Sequence, residues 1–95
     1  MSKIYTREQM LEAIKGKYPK QHIRASEEFS QECENGLWMS AEDGTTDTRG
    51  NLIFRYYVDR KVYSNGVINQ LNNFVKKRGW FFEWYDGGTI MLYPL

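Results

Sequence analysis

The chain has 95 residues, of which 41% are hydrophobic and 16% aromatic, and its 13 basic and 12 acidic residues leave a formal net charge of +1. This length fits one domain, the aromatic content argues against disorder, and the balanced charge excludes a strong overall attraction to nucleic acid. No apolar run approaches the roughly 20 residues of a membrane span, and the single cysteine, Cys33, excludes an internal disulfide. We therefore expect one soluble domain over residues 1–95 in a reducing, cytoplasmic setting.

The charges are distributed unevenly along the chain. Residues 1–24 carry six basic and two acidic side chains, residues 25–50 carry one basic and seven acidic, and residues 51–95 carry six basic and three acidic. An acidic middle between basic flanks indicates either weak pairing across the fold or a polarised surface for a charged partner.

The N-terminal region predicts a helix over residues 7–15. Thr6 and Gln9 have the spacing of a capping box, in which each side chain binds a free amide of the first turn. Gly16 offers a left-handed exit, and Pro19 prevents the helix from continuing. The apolar face is expected to carry Met10, Leu11, Ile14 and Tyr18.

The stretch that follows allows two interpretations. Residues 21–25 have the form of a short strand, whereas Ser26 before two glutamates suits the start of a helical turn that carries Phe29 and Cys33 on one side. We expect a strand-like or irregular 21–25, then a short helical segment that ends at residues 35–36.

Two strands are predicted in the middle of the chain, over residues 37–41 and 52–58. The second has the strongest alternation, which places on one face Leu52, Phe54, Tyr56 and Val58. A polar stretch over residues 43–51 separates the two strands, so the pattern predicts an antiparallel hairpin with a long tip.

A second helix is predicted from the apolar stripe Val67, Ile68, Leu71, Phe74 and Val75. Ser64 or Asn65 is the expected cap, and Tyr63 is placed for a hydrophobic staple with the second residue of the stripe. The cations at residues 76–78 suit the negative end of the helix dipole, and Gly79 closes the helix.

The chain ends in a predicted hairpin of residues 80–85 and 89–94. Asp86 and Gly87 favour a type I′ turn between them. That turn predicts three opposite pairs, which are Trp84 with Thr89, Phe82 with Met91, and Trp80 with Tyr93. Both faces of this hairpin are apolar.

The order α-β-β-α-β-β predicts an α+β fold, a small two-layer domain with a four-stranded, mostly antiparallel sheet and both helices packed on one face. The second face of the C-terminal hairpin then needs a cover. Either the segment around residues 20–36 lies over it, or an aromatic patch is exposed, and such patches mark interaction sites.

No group of residues indicates catalysis or metal binding. His22 and Cys33 are the sole imidazole and thiol, and nothing in their spacing brings them together. One histidine and one cysteine fall short of the four ligands of structural zinc. The polar loop at 42–48 lacks the glycine and glutamate of a calcium-binding EF-hand. We expect no enzyme activity, no metal and no cofactor.

A nucleic-acid-binding module is the alternative function. Arg49 and Gly50 before Leu52 resemble the start of the RNP1 strand of RNA-recognition motifs, although Asn51 and Ile53 stand where that motif has aromatics. In this hypothesis the aromatic hairpin stacks single-stranded bases. The backbone is held by Lys76, Lys77, Arg78, Lys17 and Lys20.

The leading hypothesis is a non-enzymatic protein-binding module. The aromatic anchors are expected to be Trp80, Trp84, Tyr85 and Tyr93. The charges that steer a basic partner are expected to be Glu28, Glu32, Asp43 and Asp47. Homodimerisation through the hairpin or a sheet edge is another use of the same surface.

In size and in its lack of catalytic motifs, the chain is similar to the small accessory proteins of phages and prophages. Many of those bind and block a host complex, anti-CRISPR proteins among them. The similarity is one of character rather than of motif, and it implies an inhibitor of a host protein or defence complex.

Overall fold

The computed structural model describes residues 4–55 and 62–95. Their elements are α1 (Arg7–Lys17), β1 (Ile23–Ala25), a 3₁₀ turn (Ser26–Glu28), β2 (Leu37–Ser40), β3 (Tyr63–Ser64), β4 (Val67–Ile68), α2 (Asn69–Lys76), β5 (Trp80–Asp86) and β6 (Thr89–Pro94). Four strands form one antiparallel sheet in the order β1-β2-β6-β5, and β3 and β4 form a separate ribbon. The predicted α+β class with a four-stranded antiparallel sheet is confirmed.

Both helices pack on the same face of the sheet, here called the inner face. Met10 and Ile14 of α1 and Leu71 and Val75 of α2 are buried there. The strands contribute to the same core Ile23, Leu37, Met39, Trp80, Phe82, Ile90 and Leu92. In the described part of the chain, neither helix is long and apolar enough to cross a membrane.

The capping box at the start of α1 is confirmed. The Thr6 hydroxyl accepts the Gln9 amide at 3.2 Å, and the Gln9 side chain accepts the Thr6 amide at 2.9 Å. The helix runs two residues further than predicted because Gly16 stays helical, and the Tyr18 amide still donates to the Ile14 carbonyl at 2.8 Å.

The predicted hairpin of 37–41 with 52–58 is wrong for the residues that the structure describes. β2 lies instead between β1 and β6, so the predicted short strand at 21–25 occupies the sheet position that we expected for 52–58. Ile53 and Phe54 are both buried, which a half-buried alternating strand does not allow. Residues 56–58 of that prediction lie outside the described ranges.

The segment 52–55 pairs with the β3–β4 ribbon. The Arg55 amide donates to the Gly66 carbonyl at 2.7 Å, and the Ile68 amide donates to the Ile53 carbonyl at 2.9 Å. This pairing buries Ile53 and Phe54 beside the ribbon.

The second helix begins later than predicted, because Val67 and Ile68 belong to β4. Asn65 (φ +52°) and Gly66 (φ +75°) form a two-residue turn that joins β3 to β4. Ser64 and Asn65 are therefore not the cap of α2, and its N-cap residue, Ile68, makes no side-chain capping bond. The predicted exit is confirmed, since Gly79 has φ +82°.

The C-terminal hairpin is confirmed, but its register differs by one residue from the prediction. A bulge at Tyr85 leaves Gly87 and Gly88 as the turn residues, and the Gly88 amide donates to the Asp86 side chain at 2.9 Å. The resulting pairs are Trp84 with Ile90, Phe82 with Leu92, and Trp80 with Pro94. The shift places Ile90 and Leu92 on the inner face and leaves Met91 and Tyr93 on the other.

Candidate functional site

The side of the sheet away from the helices, here called the outer face, carries half-exposed aromatic residues. The strand register aligns one row across all four strands, Arg24, Trp38, Met91 and Glu83. Phe81 and Tyr93 form the next pair, with ring centroids 6.1 Å apart. Trp38 points outward because it alternates with the buried Leu37 and Met39 in β2.

Residues 26–36, here called the outer segment, cover part of this face. The segment is closed at its base, where the Ser26 amide donates to the Gly36 carbonyl and the Asn35 amide donates to Glu27, both at 3.0 Å. The other Glu27 oxygen accepts the Arg7 guanidinium at 2.6 Å. The two ends of the segment are therefore bonded to each other, and Glu27 also binds the segment to the start of α1.

Three rings on the outer face form a continuous cluster, here called the outer aromatic cluster: Phe29, Trp38 and Tyr85. Phe29 contacts Trp38 and Tyr85, with centroids 5.2 and 4.7 Å apart. Tyr85, at the bulge of β5, is 56% exposed, whereas Met91 is buried. The cluster thus presents packed, partly exposed rings on a rigid sheet.

The polar groups at the border of the cluster form no catalytic pair. His22 packs edge-on against Trp38 at 4.5 Å, and its backbone amide donates to Asp43 at 2.6 Å. Cys33 instead contacts Tyr93, and burial together with a hydrogen bond from this contact raises the pKa of Tyr93 to about 12. The sole imidazole and the sole thiol therefore have different neighbours, and no contact joins them.

The charge around the outer aromatic cluster is predominantly acidic. The exposed acidic residues of the outer segment and the adjoining end of β5 are Glu28, Glu32, Glu34, Glu83 and Asp86. Arg24, the cation in the aligned row, lies 3.6 Å from Glu28. Beside the rings, therefore, negative charge exceeds positive charge.

Acid is expected to loosen the outer segment through Glu27. The Asn35 amide, with a smaller contribution from Arg7, lowers the pKa of Glu27 to about 2. A carboxyl whose pKa is lowered by folding contributes stability above its unfolded pKa, and this contribution is lost as the pH falls towards the folded value. We expect Glu27→Gln to be less stable than the wild type at pH 7 and the difference to shrink between pH 4.5 and 2, as measured by thermal unfolding. A difference that does not change with pH would contradict this role.

The four predicted aromatic anchors separate into two pairs. Tyr85 and Tyr93 lie on the outer face, as a surface role requires. Trp80 is 1% exposed within the core, and its indole donates to the Tyr5 carbonyl at 2.9 Å, so the prediction of Trp80 as an anchor is wrong. Trp84 is half-buried on the inner side, where its indole donates to the Asn65 carbonyl at 2.6 Å.

The predicted acidic residues are also divided. Glu28 and Glu32 belong to the outer segment. Asp43 lies beside the outer aromatic cluster, where its carboxylate accepts the backbone amide of His22. Asp47 holds a loop together, because its carboxylate accepts the Arg49 and Asn51 amides at 2.9 Å, and these bonds, that from Asn51 most of all, lower its pKa.

Two residues of the outer aromatic cluster, Phe29 and Trp38, were not predicted from the sequence. The alternation of Leu37 and Met39 with Trp38 and Ser40 is the signal that marks Trp38 as outward-facing. Phe29 carries no comparable signal, because its contacts are to residues distant in the chain.

The cations proposed for nucleic acid lie in the helices or in the residues that directly follow them. Lys17 and Arg78 flank the Phe74 ring, at 4.6 and 3.8 Å from its centroid. The remaining three, Lys20, Lys76 and Lys77, are exposed. Among the described residues, none of these cations has a contact with the outer aromatic cluster, and of the hairpin rings expected to stack bases, Trp80 and Phe82 are buried.

Comparisons of the chain with protein-family models, with curated proteins and with solved structures find no match.

Proposed function

We propose that this protein is a non-enzymatic protein-binding module that receives a basic surface of a partner on its outer face. The observation that carries the proposal is the outer aromatic cluster surrounded by exposed carboxylates. Aromatic residues dominate the energetics of protein interfaces, and a charged rim steers the approach of an oppositely charged partner.

The geometry of the cluster favours tight binding. Phe29, Trp38 and Tyr85 already contact each other, so association immobilises few additional side-chain rotamers. Tyr85 contributes the largest exposed ring surface and a hydroxyl, which is the combination typical of interface hot spots.

The specific form of the proposal is a cytoplasmic inhibitor of a host protein or defence complex, of the kind that phages and prophages carry. Small size and a free, half-buried Cys33 thiol fit that setting. A surface that binds without chemistry is sufficient to block a host complex.

We expect a Tyr85→Ala, Glu83→Lys double variant to lose its partner while keeping its fold. Both side chains are exposed, so the thermal midpoint should change little. The tagged wild type and the variant would be used to capture proteins from a host lysate, with and without nuclease. The matched control, Lys76→Glu with Lys77→Glu, reverses two exposed charges on the helix side and should retain the partner.

Capture that requires nucleic acid, and that the Lys76, Lys77 control loses, would overturn the proposal in favour of nucleic-acid binding. Capture by the outer-face variant at the wild-type level would show that the partner binds elsewhere.

A further inference from the structure

The free edge of the sheet at β1 carries unpaired backbone groups. The Ser26 amide donates to the Gly36 carbonyl. Because hydrogen-bonded and non-hydrogen-bonded pairs alternate in an antiparallel ladder, the backbone amide and carbonyl of Arg24 point towards β2, and those of Ile23 and Ala25 point away from it. The amide and carbonyl of Ile23 and the amide of Ala25 therefore point outward. Within residues 4–55 and 62–95, no backbone or side-chain group binds them.

A groove of about 400 Å³ runs along this edge. β1 forms one wall, and Leu11 and Lys15, one helical turn apart in α1, form the other; Glu28 closes one end. A strand edge facing a helix across a groove is the arrangement by which peptide-binding domains add an extended segment of a partner to their sheet.

The charges of the groove favour an acidic occupant. Arg24 is paired with Glu28, whereas Lys15 has no ion pair among the described residues. Arg7 at the start of α1 bonds Glu27, and Tyr18 at its end bonds Gln21. Lys15 therefore lies at the Gln21 end of β1 and Glu28 at the other end.

We propose that an extended acidic segment of another protein binds antiparallel to β1, as a fifth strand between β1 and α1. Its carboxylates meet Lys15 towards the C-terminal end of the segment, and an apolar side chain packs against Leu11. The segment would bind Ile23 and Ala25 through its own backbone. This site shares Arg24 and Glu28 with the border of the outer aromatic cluster but uses none of its rings, and it does not depend on the function proposed for that cluster.

A second copy of this chain is a poor occupant. Antiparallel pairing of two β1 edges that uses both Ile23 and Ala25 places Arg24 directly opposite Arg24 of the second copy. Like charges in opposite positions destabilise a strand pair.

The decisive variant is Ala25→Pro. Ala25 has φ −59°, which proline adopts without strain, and the lost amide makes no bond to β2. The probe is a capped seven-residue threonine peptide with valine at its third position and glutamate at its fifth, titrated into ¹⁵N-labelled protein. The two side chains share one face of a strand, with the glutamate nearer the C-terminus, as contacts to Leu11 and Lys15 require. We expect amide shifts at Ile23 and Ala25 and slower hydrogen exchange at Ile23. Affinity should fall at least about tenfold in Ala25→Pro, and equally when lysine replaces glutamate in the peptide.

A second variant keeps the test independent of how Ala25→Pro folds. Lys15→Glu should reverse the preference between the glutamate and lysine peptides, while Tyr85→Ala should bind like the wild type. Absence of shifts at β1, equal affinity for both peptides in the wild type, or undiminished binding by a folded Ala25→Pro would overturn the proposal. Hydrogen exchange at the Ile23 amide would also overturn the proposal if it slowed with rising protein concentration in the absence of peptide. A second copy of the chain would then be the occupant.

Discussion

Replacement of Trp80 by alanine is expected to lower the free energy of unfolding by about 3–5 kcal/mol, the usual cost of removing a buried tryptophan. Trp80 is 1% exposed among the side chains that join both helices to the sheet. The substitution also removes the bond from its indole to the Tyr5 carbonyl, which ties the residues before α1 to β5. The free energy of unfolding of a small domain is about 5–15 kcal/mol in total. The Trp80→Ala variant should therefore unfold at a much lower denaturant concentration than the wild type.

Urea unfolding followed by circular dichroism would measure this effect. Tyr85→Ala is the matched control on the same strand, and it should cost less than about 1 kcal/mol because its ring is largely exposed. Trp80→Phe separates the two contributions, since it retains most of the apolar volume and loses the hydrogen bond. Equal midpoints for Trp80→Ala and Tyr85→Ala would contradict the assignment of Trp80 to the core.

Replacement of Gly36 by alanine is expected to cost about 1–3 kcal/mol through overpacking. An added Cβ would lie 2.6 Å from the Leu92 carbonyl oxygen and 2.7 Å from Cε1 of Tyr93. The carbonyl cannot retreat without disturbing the pairing of β6 with β2, and the ring is held between β6 and the outer segment. The strain should therefore also displace the outer segment and weaken partner binding at the outer aromatic cluster.

Gly16→Ala is the control for this variant. Gly16 is exposed in α1 and has no heavy atom within 4 Å of the position of a Cβ. Alanine there should raise stability, by up to about 1 kcal/mol, because it favours the helical backbone. Parallel urea titrations should thus move the two midpoints in opposite directions, and a shared direction would show that Tyr93 does not pack over Gly36 as described.

The features that could be predicted from the sequence are those with local causes. Thr6 and Gln9 lie within one helical turn of each other, so their capping box needs no distant partner. Gly79 adopts a left-handed backbone, so it can turn the chain from the end of α2 into β5. The α+β class likewise follows from the alternation and helical periodicity of neighbouring residues.

The turn at Asn65 and Gly66 also has a local cause, but a second local preference opposes it. Asn-Gly strongly favours a hairpin, yet Val67 and Ile68 also extend the apolar periodicity of the helix that follows. Two local preferences competed there. The pairing of 53–55 with this ribbon decided in favour of the strand, because it buries Ile53 and Phe54 and pairs their backbone groups.

The candidate site was only partly predictable, because its composition depends on register. The bulge at Tyr85 exchanges the faces of β6, and this exchange decides that Met91 and Tyr93, rather than Ile90 and Leu92, lie outward. A one-residue slip reverses every side chain of a strand, and the run of Asp86, Gly87 and Gly88 allows a turn at either of two adjacent pairs of residues.

The sequence by itself thus determined the start of α1, the C-terminal hairpin and the acidic character of the middle of the chain, since each depends on residues close to one another. The tertiary structure alone decided that β1 rather than 52–58 pairs with β2, that Trp80 is buried, and that Phe29 meets Trp38 and Tyr85. These outcomes depend on contacts between distant residues, where the burial of a whole sheet face outweighs the preference of any one segment.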